Sequence, residues 1–163
     1  MQIGFTGTHK GMTEAQKVTV RNLLLIQKEE STKLLGVLHR DEFHHGDCIG
    51  ADAQANDIAW EVGYDITIHP PTIIKNRFFC KAGPPPKGIS SIGILQKFVV
   101  LPEKAYFVRD KDIVNAAERI IATPAGFQEE LRSGTWTTIR YARKKKIQIT
   151  IVWPDGSIKE ENF

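Results

Sequence analysis

Gln2-Ile3-Gly4-Phe5-Thr6-Gly7-Thr8-His9-Lys10-Gly11-Met12-Thr13-Glu14-Ala15-Gln16 is the stretch on which the fold turns. Gln2 to Phe5 is a short apolar run, which reads as a strand. It stops at a loop, Thr6 to Gly11, that carries two glycines. Thr13 and Gln16 then stand at the Thr-x-x-Gln spacing of a capping box, so a helix begins there. A strand that runs through a glycine-bearing loop into a capped helix is the opening move of a parallel α/β unit.

The same grammar recurs along the chain. The first helix carries Val20, Leu23 and Leu24 at helical spacing, and Leu34, Leu35 and Leu38 extend an apolar face beyond a polar stretch. Gly36 and Ser31-Thr32 leave open whether this is one helix or two. Glu42 to His45 reads as a second strand, Gly46 to Gly50 as a tight loop, and Ala55, Ile58, Ala59 and Val62 as one buried helical face that Gly63 ends. Asp65 to His69 is a third strand, stopped by Pro70-Pro71. Asp112 to Arg119 reads as a short helix and Ile120 to Thr123 as a buried strand. Thr135 caps a helix that turns Trp136, Ile139 and Ala142 inward, and Ile147 to Trp153 is the last strand, followed by a polar tail. Between these units lies an irregular excursion at about 72–108, with Gly83-Pro84-Pro85-Pro86 in it and room for one short strand near Phe98 to Leu101.

Alternating strands and helices predict an α/β fold, a Rossmann-like three-layer sandwich with a mostly parallel sheet of about five strands in a single domain over 1–163. The 163 residues suit one core, and 41% hydrophobic with 25% charged residues are globular values. No apolar run approaches a membrane span, and the N-terminal residues lack the pattern of a secretory signal. Two cysteines are too few for a disulfide framework, which predicts a cytoplasmic location. A net charge of +3 does not announce a nucleic-acid binder.

In a parallel sheet all carboxyl ends meet at one edge, where ligands bind. Three glycine-containing loops gather there: Thr6 to Met12, Gly46 to Asp52, and Arg132 to Thr137. Each leads into a helix N-terminus, whose free N–H groups suit phosphate. Thr6, Gly7, Thr8, His9 and Lys10 form the first cradle. In the second, Gly46, Asp47 and Gly50 let backbone approach a ligand, and Asp52 has two equal readings, a ribose acceptor or a cap for its own helix. In the third, Arg132 offers a bidentate fork, Ser133, Gly134 and Thr135 add donors, and Trp136 is either a base platform or core. Lys75 and Arg77 lie in the excursion, within reach of an anion if it folds back.

Other motifs carry less. Arg143 to Lys146 closes a helix at the end opposite the binding edge, where cations offset the dipole and face solvent. His44 and His45 are adjacent strand residues that point to opposite faces, and no fourth ligand joins them with Cys48, so no metal is expected. Ser133 has no recognisable base partner, which argues against a nucleophilic hydrolase.

The segment Arg132-Ser-Gly-Thr-Trp-Thr-Thr, followed by Ile139-Arg-Tyr-Ala, resembles the Arg-Ser-Gly-Ser/Thr motif of the DNA-processing DprA (Smf) family. Gly50-Ala51-Asp52-Ala53-Gln54-Ala55 is similar to that family's Gly-x-Asp-x-x-Ala, and Gly4 to Thr8 stands at its opening turn. Arg109 stands where the family has an Arg-Asn pair, with Asp110 in place of the Asn. The matches are colinear outside residues 72–108 and resemble the wider SLOG superfamily, which includes the LOG phosphoribohydrolases. The resemblance implies a nucleotide-derived ligand and a homo-oligomer, and it adds Arg109 to the ligand-binding set. LOG enzymes carry a catalytic Glu in Pro-Gly-Gly-x-Gly-Thr-x-x-Glu; alignment on Gly134-Thr135 puts Thr138 there, and a hydroxyl cannot do a carboxylate's work.

The function these readings predict is binding of a nucleotide-derived anion, such as an ADP-ribose derivative, a cyclic dinucleotide or a mononucleotide, by a stand-alone sensor or sequestering protein without a cofactor. The alternatives are DprA-like binding of single-stranded DNA and an N-glycosidase acting on nucleoside monophosphates.

Overall fold

The computed structural model describes residues 1–36, 38–84 and 95–163. β1 (Gln2–Gly7), β2 (Glu42–His45), β3 (Asp65–Ile68), β4 (Phe98–Val100), β5 (Arg119–Thr123), β6 (Gln148–Val152) and β7 (Ile158–Glu161) form one sheet in the order β4-β3-β2-β1-β5-β6-β7. All neighbours are parallel except β6 and β7. The helices are α1 (Glu14–Leu35), α2 (Ala51–Val62), α3 (Tyr106–Ala116) and α4 (Gly134–Lys145).

Two apolar clusters, one on each face of the sheet, make the three layers. Val20 and Leu24 of α1 and Ile58 and Ala59 of α2 pack with Phe5, Phe43 and Ile66. Ile113 and Val114 of α3 and Trp136 and Ile139 of α4 pack with Ile120, Ala122, Ile149 and Ile151. Each fully buried aliphatic or aromatic side chain contributes roughly 1.5–3 kcal/mol, so these two layers carry the stability of the sandwich.

The sheet has seven strands where five were expected. The short strand near Phe98 is present as β4. The polar tail is not a tail: Gly156 N–H donates to the Trp153 carbonyl at 2.8 Å, and the chain turns back as β7. Its Ile158-Lys159-Glu160-Glu161 pairs with only one neighbour, and charges protect the other edge.

α1 is one uninterrupted helix, ended at Gly36, whose N–H bonds the Thr32 carbonyl. The apolar face expected from Leu34, Leu35 and Leu38 is absent, because all three are exposed beyond the sheet's cover. α3 begins at Tyr106, six residues before the predicted start, and this carries Arg109 onto a helix. Pro85 and Pro86 of the excursion lie outside the described residues. Among the described residues, no helix is long and apolar enough to cross a membrane.

Both arms of the α1 capping box are formed. Gln16, 1% exposed, also donates from Nε2 to the carbonyls of Pro124 and Val152 at 3.0 and 2.9 Å. The start of α1 is thereby fastened to the carboxyl ends of β5 and β6, where the candidate site lies.

Candidate functional site

Chain order reverses at β1, with β2, β3 and β4 on one side and β5, β6 and β7 on the other. Crossovers therefore diverge at the carboxyl ends of β1 and β5 and leave a crevice, the place where open α/β sheets take ligands. A cavity of about 240 Å³ occupies it.

Thr6, Gly7, Thr8, His9 and Lys10 line its floor and rim. Thr8 N–H donates to the Thr123 carbonyl at 3.2 Å, and the Thr8 carbonyl accepts the N–H groups of Gly11 and Ala51 at 3.1 and 3.0 Å. The loop is thus pinned between β5 and the first turn of α2. Gly50 makes that pinning possible: its φ is 88°, and a Cβ there would run into the His9 carbonyl. One free amide of α2 is therefore spent on Thr8, and Gly50 serves the loop without lining the cavity.

Arg132, Ser133, Gly134 and Thr135 line the opposite wall. Ser133, and not the expected Thr135, is the cap of α4, because its Oγ accepts the Trp136 N–H. The turn that precedes it is shaped by Arg140, which the sequence reading did not single out. Arg140 Nη1 donates to Glu129 Oε1 at 3.0 Å and Nη2 to the Leu131 carbonyl at 3.1 Å. Arg132 itself is exposed, with no ion pair found for it among the described residues. Trp136 does not reach the cavity: it is 3% exposed, packed 6.2 Å from Trp153 in the core. Thr138 also lies outside the lining, with its hydroxyl donated to the Gly134 carbonyl at 3.1 Å.

The third wall comes from α2 and α3. Asp52 is 4% exposed, and its Oδ2 accepts the Cys48 N–H at 3.1 Å, so it caps the preceding loop while also lining the cavity. Arg109 is 6% exposed, with Nη1 3.0 Å from Asp110 Oδ1 and Nη2 2.9 Å from Cys48 Sγ. Burial works against its charge, but Asp110 and Asp52 hold the guanidinium protonated. Burial raises the Asp110 carboxyl to about 6, with Arg109 opposing and Asp52 assisting the rise. The Cys48 thiol is likewise raised by burial, to about 12, and is no nucleophile at neutral pH.

Gly46 and Asp47 stand behind this wall and not in it. A Cβ on Gly46 would overlap the Arg109 guanidinium, so the glycine admits a side chain of this protein. Asp47, at a φ of 58°, turns away and takes Arg77 Nε on Oδ2 and Cys80 N–H on Oδ1 at 2.6 and 2.7 Å. Arg77 is thereby committed, and neither it nor Lys75 lines the cavity.

Five lining residues were outside the predicted set: Cys48, Tyr106, Asp110, Ala125 and Glu130. Tyr106 and Asp110 were missed because α3 starts earlier than its apolar periodicity shows. The basic run at the end of α4 is partly neutralised, since Arg143 pairs with Glu161 and Glu129. Among the described residues, no group of His, Cys, Asp and Glu is placed to hold a metal ion.

No family model and no curated protein matches the chain. Solved structures do. DNA processing protein A (DprA) from Streptococcus pneumoniae superposes with a TM-score of 0.60 at 16% identity, over 92% of this chain and 49% of that one. A protein designated TM1055 superposes with a TM-score of 0.52 at 14% identity, over 91% of this chain and 71% of its own. The chain thus spans about half the length of DprA. At such identities the likeness establishes a DprA/LOG-like Rossmann-type fold.

Proposed function

We propose that this protein binds a nucleotide-derived anionic ligand in the cavity between β1 and β5, as a sensor or sequestering protein. The observation that carries the reading is convergence at a strand-order reversal. The capped N-terminus of α4, the pinned Thr6–Lys10 loop and the cations Lys10, Arg109 and Arg132 all line one cavity. Helix N-termini and a guanidinium fork are the groups that receive phosphate. The test is a thermal-shift titration against mononucleotides, cyclic dinucleotides and ADP-ribose. Binding at 100 times Kd raises stability by about 2.7 kcal/mol. A panel that produces no shift refutes the reading.

The DprA likeness favours one second reading, binding of single-stranded DNA. Its mark is oligonucleotide affinity that falls steeply with salt, as several phosphate contacts require. A flat response removes it.

A further inference from the structure

The two edges of the sheet are not alike. β7 shows solvent a strand with Lys159, Glu160 and Glu161, the kind of charge with which edge strands resist further pairing. β4 carries none. Its Phe98-Val99-Val100 runs on into Leu101, and Val99, Val100 and Leu101 are 40, 50 and 36% exposed. Among the described residues β3 is the only neighbour of β4, so the outer side of β4 is unpaired.

The register fixes which backbone groups that side offers. Ile66 N–H donates to the Lys97 carbonyl at 2.9 Å, and Leu101 N–H donates to the Ile68 carbonyl at 3.0 Å. Alternate residues of a strand turn both polar groups to the same neighbour. Lys97, Val99 and Leu101 therefore bond inward to β3, and Phe98 and Val100 aim N–H and C=O outward. Phe98 is held in place by Trp60, whose ring meets it edge-on at 6.0 Å.

This outward row is complementary to itself. Two copies of β4 laid antiparallel, with Val99 at the two-fold axis, put Phe98 of one copy opposite Val100 of the other. Such a pair exchanges both N–H···O=C bonds, and the axis repeats it, so every outward group of Phe98 and Val100 finds a partner. Val99 then meets Val99 and Phe98 meets Val100, apolar cross-strand pairs of the kind that stabilise sheets. The charges agree as well: the exposed Lys97 at one end of the strand comes beside the Glu103 end of the other copy. A head-to-tail join of β4 to β7 would instead set the apolar row against Lys159 and Glu161 and leave an open edge at each end. The self-pairing closes.

We infer that the β4 edge is a homodimer interface, in which Phe98 and Val100 of two copies pair antiparallel about Val99 into one continuous sheet. The carboxyl edges of the two copies then face opposite ways, and each cavity is built by one chain alone. The inference is therefore independent of what the cavity binds.

The test is sedimentation velocity on the whole chain across a concentration series, with amide exchange read residue by residue. The parent is expected to sediment as two chains and to fall to one on dilution. The Phe98 and Val100 amides should exchange slowly in the dimer and fast in the monomer, while the Leu101 amide, bonded to β3, stays protected in both. Val99→Lys and Val99→Glu, each checked for an intact melting transition, set like charges across the axis and are expected to sediment as one chain. Mixed together, they should recover the two-chain species, because residue 99 meets itself. A parent that sediments as one chain at every concentration overturns the inference. So does a dimer that both variants retain, or a mixture of the two that stays monomeric. Phe98 and Val100 amides that exchange alike in monomer and dimer overturn it without any variant.

Discussion

The guanidinium of Arg109 occupies the space in which a Cβ of Gly46 would stand. One residue at the end of β2 is thus bare so that another, arriving on α3, can lie buried against the loop that follows β2. From there Arg109 reaches Cys48 and Asp110 and forms part of the cavity wall.

Gly46→Ala is expected to push the guanidinium out of its seat. Overpacking of this kind destabilises by about 1–3 kcal/mol. Nucleotide affinity should fall with it, because the cavity loses a placed cation. Urea unfolding and a ligand titration check the two effects separately.

Asp47→Ala is expected to cost stability without touching the cavity. Asp47 is the buried partner of Arg77 Nε and of the Cys80 N–H. Removal of one member of a buried ion pair destabilises by about 3–5 kcal/mol. Under conditions where the variant is folded, its affinity for the ligand should match that of the parent. A lost affinity in a well-folded variant would show that Asp47 acts on the ligand.

Asp110 gives the protein a signed pH dependence. Its carboxyl is raised in the fold from 3.8 to about 6, chiefly by burial. The folded state therefore holds the proton more tightly than the unfolded chain. The associated stability is fully present below pH ~4 and is lost as the pH rises through ~6. At neutral pH the ionised, buried group lowers stability by about 1–3 kcal/mol. Asp110→Asn removes this titration and should flatten the profile between pH 4 and 6. Denaturant titrations across that range measure it; an unchanged slope in the variant contradicts the assignment.

How much was legible depended on whether a residue's signal was local. Thr13 and Gln16 announced α1 because a capping box is written within four residues, and both of its bonds form. The loops at Thr6 and Arg132 were legible for the same reason. α3 has no such mark: its cap, Ala105, makes no side-chain bond, so the helix became visible only at Asp112 and Tyr106 was lost. β7 was invisible because an edge strand, paired on one side, needs no apolar face, and Ile158 is its only apolar residue. Gly46 and Asp47 sat in a correctly placed loop, yet their partners Arg109, Arg77 and Cys80 lie 30 or more positions away. Only the folded chain shows what they serve.

The central claim, that the cavity holds a nucleotide-derived anion, is tested most directly by mass spectrometry of the small molecules released when the purified protein is denatured. Arg132→Ala is the comparison, since Arg132 lines the cavity and is exposed. The account predicts a phosphate-bearing nucleotide from the parent and about tenfold less from the variant, the effect of losing one charge-assisted bond. A nucleotide retained equally by both proteins would contradict the site, and a parent that neither carries nor binds any nucleotide would contradict the function.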